Sequence, residues 1–193
     1  MVNNTYNEFR KYSDKSLPEA KEHISKFLKL QLGGMNHTSF IKESDVYNDT
    51  INAIDLFVTY PKIKVSHRAR QMYGDIIDIT IKTKCQNTEM KSEYQKLLQF
   101  ESLGSNISPW YYFYCFYDKD KSNISRYIIY NLRKLIKLPE FKDKSIFAYK
   151  DDKFNTKDGG SYFNCITVNK LIEKGVVVAD WSKGEGDVKY YII

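Results

Sequence analysis

The chain has no apolar run approaching the roughly 20 residues a membrane-spanning helix needs. Its first residues, MVNNTYNEFRKYSDK, lack the apolar stretch of a secretory signal. Both absences lead to the expectation of a cytoplasmic protein with no membrane partner. Cysteine is scarce as well: Cys85, Cys115 and Cys165 are odd in number and widely spaced, with no C-x-x-C pair and no histidine cluster beside them. Free thiols are expected, and a structural zinc site is not. Internal repeats and low-complexity segments are also missing.

What is present describes a folded chain. At 193 residues, 42% of them hydrophobic and 28% charged, there is material for one sizeable core and no compositional sign of disorder. A single domain over 1–193 is expected, with a helical N-terminal part over 1–60 and a small C-terminal appendage from about 155. Thirty Lys+Arg against 24 Asp+Glu give a net charge of +6. That balance suits a phosphate-backbone partner, but it also describes many proteins that never touch nucleic acid. The many Tyr, Asn, Lys and Ile residues are what an AT-rich genome supplies, so aromatic abundance alone does not signal base stacking.

Ser16-Leu17-Pro18-Glu19 reads as a capping box with proline in the first turn, and Ala20, Ile24, Phe27 and Leu28 follow at helical spacing until Gly33-Gly34. Tyr47, Ile51, Ile54 and Val58 suggest a second helix from about Glu43 to Phe57, although IDLFVTY reads equally as a strand. From Tyr73 the period becomes two: Ile77, Ile79 and Ile81 alternate with Asp78, Thr80 and Lys82. Thr88 to Tyr94 reads as a second strand forming a hairpin with the first, and a short helix follows to about Gly104. The run WYYFYCFY, Trp110 to Tyr117, is expected as a central strand buried on both faces. Ile124, Tyr127, Ile128, Leu132 and Leu135 suggest an amphipathic helix over about 122–137 whose other face carries Arg126, Arg133, Lys134 and Lys137. Ser145 to Tyr149 reads as a strand, Thr167 to Lys174 as a helix stopped by Gly175, and VKYYII as a terminal strand. These elements make an α/β (α+β) fold with a mixed central sheet flanked by helices.

Chemistry concentrates in GDIIDITIKTKCQNTEMKSEYQ. A divalent metal assists hydrolysis of a phosphodiester by neutralising charge and activating water, and Mg²⁺ is commonly held by one or two carboxylates plus waters and substrate phosphate. Glu89 and Lys91 lie two apart on the expected strand and so point the same way, leaving the Met90 carbonyl available to a metal. With Asp78 opposite Glu89 in the hairpin, Asp78, Thr80, Glu89 and Lys91 share one polar face, while Ile77, Ile79, Ile81 and Met90 share the apolar one. Asp75 has the other parity and remains the alternative if it precedes the regular strand. An acidic residue two before a lysine also occurs at Glu19, Glu140, Asp151 and Asp187, but only Glu89 has a strand-borne aspartate at fitting separation.

This segment resembles the PD-(D/E)XK nuclease superfamily, which includes restriction endonucleases, Holliday-junction resolvases and RecB-type exonucleases. The resemblance implies a restriction-endonuclease-like core and Mg²⁺-dependent cleavage of DNA, with Mn²⁺ as a substitute metal. It makes Asp78, Glu89 and Lys91 catalytic, and Asp78, Glu89 and the Met90 carbonyl metal ligands. It further suggests Glu19 or Glu22 as an added helix glutamate and Gln95 as a glutamine following the lysine. This sequence departs from the pattern in having no proline before the aspartate and a polar approach, KCQNT, to Glu89. Arg126, Arg133, Lys134, Lys137, Arg68 and Arg70 are the candidate nucleic-acid contacts, and a homodimer is expected if both strands are cut. Two other readings remain open: a non-catalytic nucleic-acid-binding protein using the basic helix, and an interaction or inhibitor protein.

Overall fold

The computed structural model describes residues 16–29, 41–43, 56–59, 62–72, 77–86, 91–102, 109–117, 123–156 and 160–191. A first helix, α1, spans residues 16–29. Its apolar stripe is the one expected: Ala20, Ile24, Phe27 and Leu28 are all buried. They pack on Leu56, Ile63, Val65, Phe113 and Cys115, on one face of a large sheet.

That sheet has seven strands: β1 (Ile41–Glu43), β2 (Leu56–Thr59), β3 (Lys62–Gln71), β5 (Tyr111–Tyr117), β6 (Ile124–Asn131), β9 (Val177–Ser182) and β10 (Lys189–Tyr190), side by side in that order. All neighbours are antiparallel except β3 and β5, which run parallel with Val65 opposite Tyr111 and Gln71 opposite Tyr117. A parallel pair needs a crossover. Here it carries β4 (Asp78–Cys85) and helix α2 (Glu93–Ser102). Strand β4 belongs to a second, three-stranded sheet of order β4-β8-β7, where β7 is Lys153–Asn155 and β8 is Ser161–Thr167. Among the described residues, three short helices follow: α3 (Leu132–Lys137), α4 (Pro139–Lys142) and α5 (Val168–Glu173). The expected mixed sheet flanked by helices is therefore what forms. No helix among the described residues is long and apolar enough to cross a membrane.

β5 lies at the middle of the large sheet, as its aromatic run predicts. Phe113 and Cys115 face α1, while Tyr112, Tyr114 and Phe116 face a second core shared with Ile79, Ile81, Leu97, Ile128 and Leu171. Because both faces are apolar, the strand needs no alternation. The same physics explains a misreading next door. Ile124 to Asn131 is a strand and not part of a helix: Ile128 and Tyr130 enter one core, and Ile124, Tyr127 and Ile129 the other. A strand buried on both sides contains apolar residues at every spacing, including the three and four of a helix. The helix begins only at Leu132, where the Asn131 side chain caps it by accepting from the Lys134 N–H at 3.0 Å. It ends before Pro139, which opens α4.

Two other elements differ. Ser145 to Tyr149 forms turns, with Lys144 at φ 66°. It runs beside β8 through the Ala148 N–H to Cys165 O bond of 2.7 Å and through the Asn164 side chain, which bonds both backbone groups of Tyr149. The helix expected from Glu43 to Phe57 lies mostly outside the described residues. Its two ends are the strands β1 and β2, so the strand reading of IDLFVTY is the one observed at Leu56–Thr59. The helix expected from Thr167 to Lys174 forms, with Thr167 capping α5 and Gly175 at φ +61° ending it, and of VKYYII the residues Lys189–Tyr190 form a strand. Residues beyond 155 enter both sheets, β8 beside β4 and β9 beside β6.

Candidate functional site

The half of the expected hairpin that carries Asp78 forms as read. Ile79 and Ile81 are buried in the core, while Asp78 and Thr80 share the opposite face. The partner strand is different. β4 pairs antiparallel with β8, from Asp78 opposite Thr167 to Cys85 opposite Ser161. Lys91 and Ser92 lie in no strand, and Glu93 already opens α2. Thr88, Glu89 and Met90 lie outside the described residues, as does Asp75, so these candidate ligands are not placed. Lys91 is exposed.

On the side of β4 away from β8, side chains take the place of a neighbouring strand. The Thr80 N–H donates to Tyr114 Oη at 3.3 Å, and Thr80 O accepts from Arg68 Nη1 at 2.7 Å. The Lys82 N–H donates to Glu93 Oε2 at 3.1 Å. Arg70 Nη1 donates to Asp78 Oδ1 and to Thr80 Oγ1, both at 2.6 Å. Glu93 also pairs with Arg68 at 2.9 Å and accepts from Tyr112 Oη at 3.2 Å. An unsatisfied buried backbone group costs about 1–3 kcal/mol, so this collar is a structural necessity for an edge strand set against another sheet. The Glu93 carboxylate raises the Arg68 guanidinium well above its usual pKa, fixing its charge. Arg68 and Arg70 therefore point into the protein, toward β4 and α2.

This arrangement does not suit Asp78 as a metal ligand. The residue is only 6% exposed, and Arg70 already neutralises Oδ1. Among the described residues, no group of three or more His, Cys, Asp or Glu side chains could hold a metal ion. The auxiliary candidates are engaged elsewhere. Glu19 lies on α1, across the large sheet from β4, where Oε2 accepts the Ile124 N–H at 3.3 Å. Glu22 pairs with Lys26 at 2.7 Å along the same helix. Gln95 closes a capping box at the start of α2: its Oε1 accepts the Ser92 N–H at 2.8 Å, and Ser92 Oγ accepts the Gln95 N–H at 3.2 Å. The pattern Ser92-x-x-Gln95 is legible in the sequence and marks a helix start where a strand was expected.

The basic residues of 122–137 separate into two groups. Arg126 lies on β6 and is held bidentately by Asp180 of β9, at 3.0 and 2.7 Å. Arg133, Lys134 and Lys137 do lie on a helix, α3. Arg133 sets its guanidinium over the Trp110 ring, 4.3 Å from the centroid. Trp110 was expected in the core with the rest of its run, but it precedes β5 and is 38% exposed. Lys64 stands at the same corner: its carbonyl accepts the Trp110 N–H at 2.8 Å. Partial burial, and then repulsion from Arg133, hold the Lys64 ammonium below its usual pKa. Trp110 and Lys64 are thus two site candidates that periodicity did not single out.

Compared with known families and with curated proteins, the chain matches no family model and no characterised relative.

Proposed function

We propose that the protein binds nucleic acid through the corner formed by Trp110, Arg133 and Lys64, and that Asp78 is a structural anion and not a metal ligand. The observation that carries this reading is the Arg133 guanidinium stacked on an exposed indole with a second cation alongside. A guanidinium over an exposed indole sets positive charge beside an aromatic ring, chemistry that suits a phosphate and a base. Lys137 lies one turn beyond Arg133 on α3 and extends the basic surface. The net charge of +6 favours association with a polyanion.

The test is fluorescence anisotropy with labelled single-stranded and duplex oligonucleotides across salt concentrations. Wild-type binding should weaken as salt rises. Arg133→Gln should reduce the logarithmic salt slope by about 0.9 on duplex and about 0.7 on single strands, as loss of one phosphate contact predicts. Trp110→Ala should weaken binding without that change in slope. A wild-type protein that binds neither oligonucleotide overturns the reading. Incubation with plasmid in Mg²⁺ or Mn²⁺ tests the other clause: cleavage abolished by Asp78→Asn would restore a nuclease built on Asp78, Glu89 and Lys91.

A further inference from the structure

The outer end of the small sheet carries two aromatic rings and a lysine in one row. Lys84 of β4 and Phe154 of β7 both stand directly opposite Tyr162 of β8, so the three side chains share a face. The Phe154 and Tyr162 rings lie 5.0 Å apart, and Lys84 Nζ is 5.6 Å from the Tyr162 centroid. Phe154 is 48% exposed, the largest exposure of any large apolar side chain described. Gly160, at φ +81° just before β8, takes a left-handed backbone conformation that favours glycine. Two residues further along the same face of β8, Asn164 holds the backbone of Tyr149. Tyr149 is itself 39% exposed, and Lys153, whose Nζ lies 4.9 Å from that ring's centroid, pairs with Phe163 and so leaves β7 on the face opposite Phe154. Among the described acidic groups, Asp152 is held by Asn164 at 3.1 Å and Lys144 at 3.7 Å, and Asp151 is exposed.

We infer that this face is a platform for single-stranded nucleic acid, with a base stacking on Phe154 while Lys84 meets the phosphates. The inference rests on the reading of nucleic acid as the partner, but it concerns a different surface from the Trp110 corner. Bases in a duplex are stacked on one another and present only their edges. Exposed rings in a sheet therefore reward unpaired bases, whose faces are open. Stacking is sequence-tolerant, because every base has a π-face, so the preference expected is for strandedness and not for sequence.

The experiment uses the full chain with a labelled oligothymidylate of about a dozen nucleotides and a hairpin duplex of similar length. Phe154→Ala should weaken single-strand binding roughly 5-fold or more, the lower end of what one lost stacking contact produces. Duplex binding should change less than 2-fold. Phe154→Tyr should retain single-strand affinity, and Lys84→Gln should reduce its salt slope. Thermal melting of each variant shows that the fold is kept, as expected for a half-exposed ring on an edge strand. If Phe154→Ala binds the single strand as wild type does, or loses single strand and duplex equally, the inference falls. Loss through Arg133→Gln, with Phe154→Ala and Lys84→Gln both silent, leaves the Trp110 corner standing and removes this platform alone. Absence of wild-type binding to either oligonucleotide removes both.

Discussion

Replacing Arg70 by Met is the sharpest perturbation the fold offers. Arg70 Nη1 makes two short contacts, to Asp78 Oδ1 and Thr80 Oγ1, each 2.6 Å. The carboxylate it neutralises is nearly closed to water, at 8% side-chain exposure against 28% for Arg70. Stripping one partner from a fully buried pair costs about 3–5 kcal/mol, because the other charge is left uncompensated. Arg70 is more than a quarter exposed, and water reaches part of the gap, so a loss of about 2–3 kcal/mol is expected. For a chain of this size that lowers the melting temperature by roughly 4–12 °C. Asp78→Asn keeps an oxygen that can accept from Arg70 and should cost less, about 1–2 kcal/mol. The double variant should cost less than the sum of the two, with a coupling of about 1 kcal/mol or more. Urea unfolding followed by tryptophan fluorescence at pH 7 measures all three. An Arg70→Met variant within about 0.5 kcal/mol of wild type, or a coupling near zero, would refute the assignment of Asp78 to an ion pair. Millimolar Mg²⁺ should leave the wild-type melting temperature unchanged, whereas a metal ligand at Asp78 would raise it by mass action.

Two further outcomes follow from buried groups outside this pair. His67 is 5% exposed, meets Ser16 Oγ at 2.9 Å, and is pushed by burial down to a pKa of about 4 from an ordinary 6.5. The unfolded chain then binds the extra proton first. Its contribution is fully present above pH 6.5 and is lost as pH falls toward 4, to a limit of about 3 kcal/mol. His67→Gln should flatten the stability profile between those pH values relative to wild type, and a parallel profile would contradict the burial of a neutral imidazole. His23, also depressed by burial, acts in the same direction. Ser92→Ala removes the cap of α2 together with its bond to Thr83 O at 2.9 Å. A loss of about 1–2 kcal/mol is expected in denaturant unfolding, and a neutral result would mean the capping box contributes nothing.

Local patterns were legible where one side of an element decides its fate. Ala20, Ile24, Phe27 and Leu28 announce α1, and Ile79 and Ile81 against Asp78 and Thr80 announce β4, because burial on one face imposes a period. The partner of β4 was not legible in the same way. Pairing with Ser161–Thr167 is non-local, whereas a hairpin reading assumes that neighbours in sequence are neighbours in space. The polar KCQNT was the trace of that error, since a strand continuing from it would have had little to bury. Arg68 and Arg70 looked like surface cations because nothing in the sequence shows that the acceptors on β4 and α2 converge on them. Trp110 was hidden for the opposite reason: it adjoins a run of core aromatics, and only the point where β5 begins separates it from them.

The collar around β4 also has a kinetic meaning. An isoleucine-rich strand whose outer backbone groups are satisfied by Arg68, Arg70, Tyr114 and Glu93 offers no template for another chain. During synthesis those groups arrive on both sides of it: the arginines precede β4, Tyr114 follows, and β8, which seals the other edge, comes later still. Until β8 is made, the Asp78–Cys85 segment is an open edge in a growing chain, exposed to association with its own copies. Truncations ending before β8 should therefore aggregate while the full chain does not, and the residues from Ser161 onward act as a solubility device for the middle of the sequence.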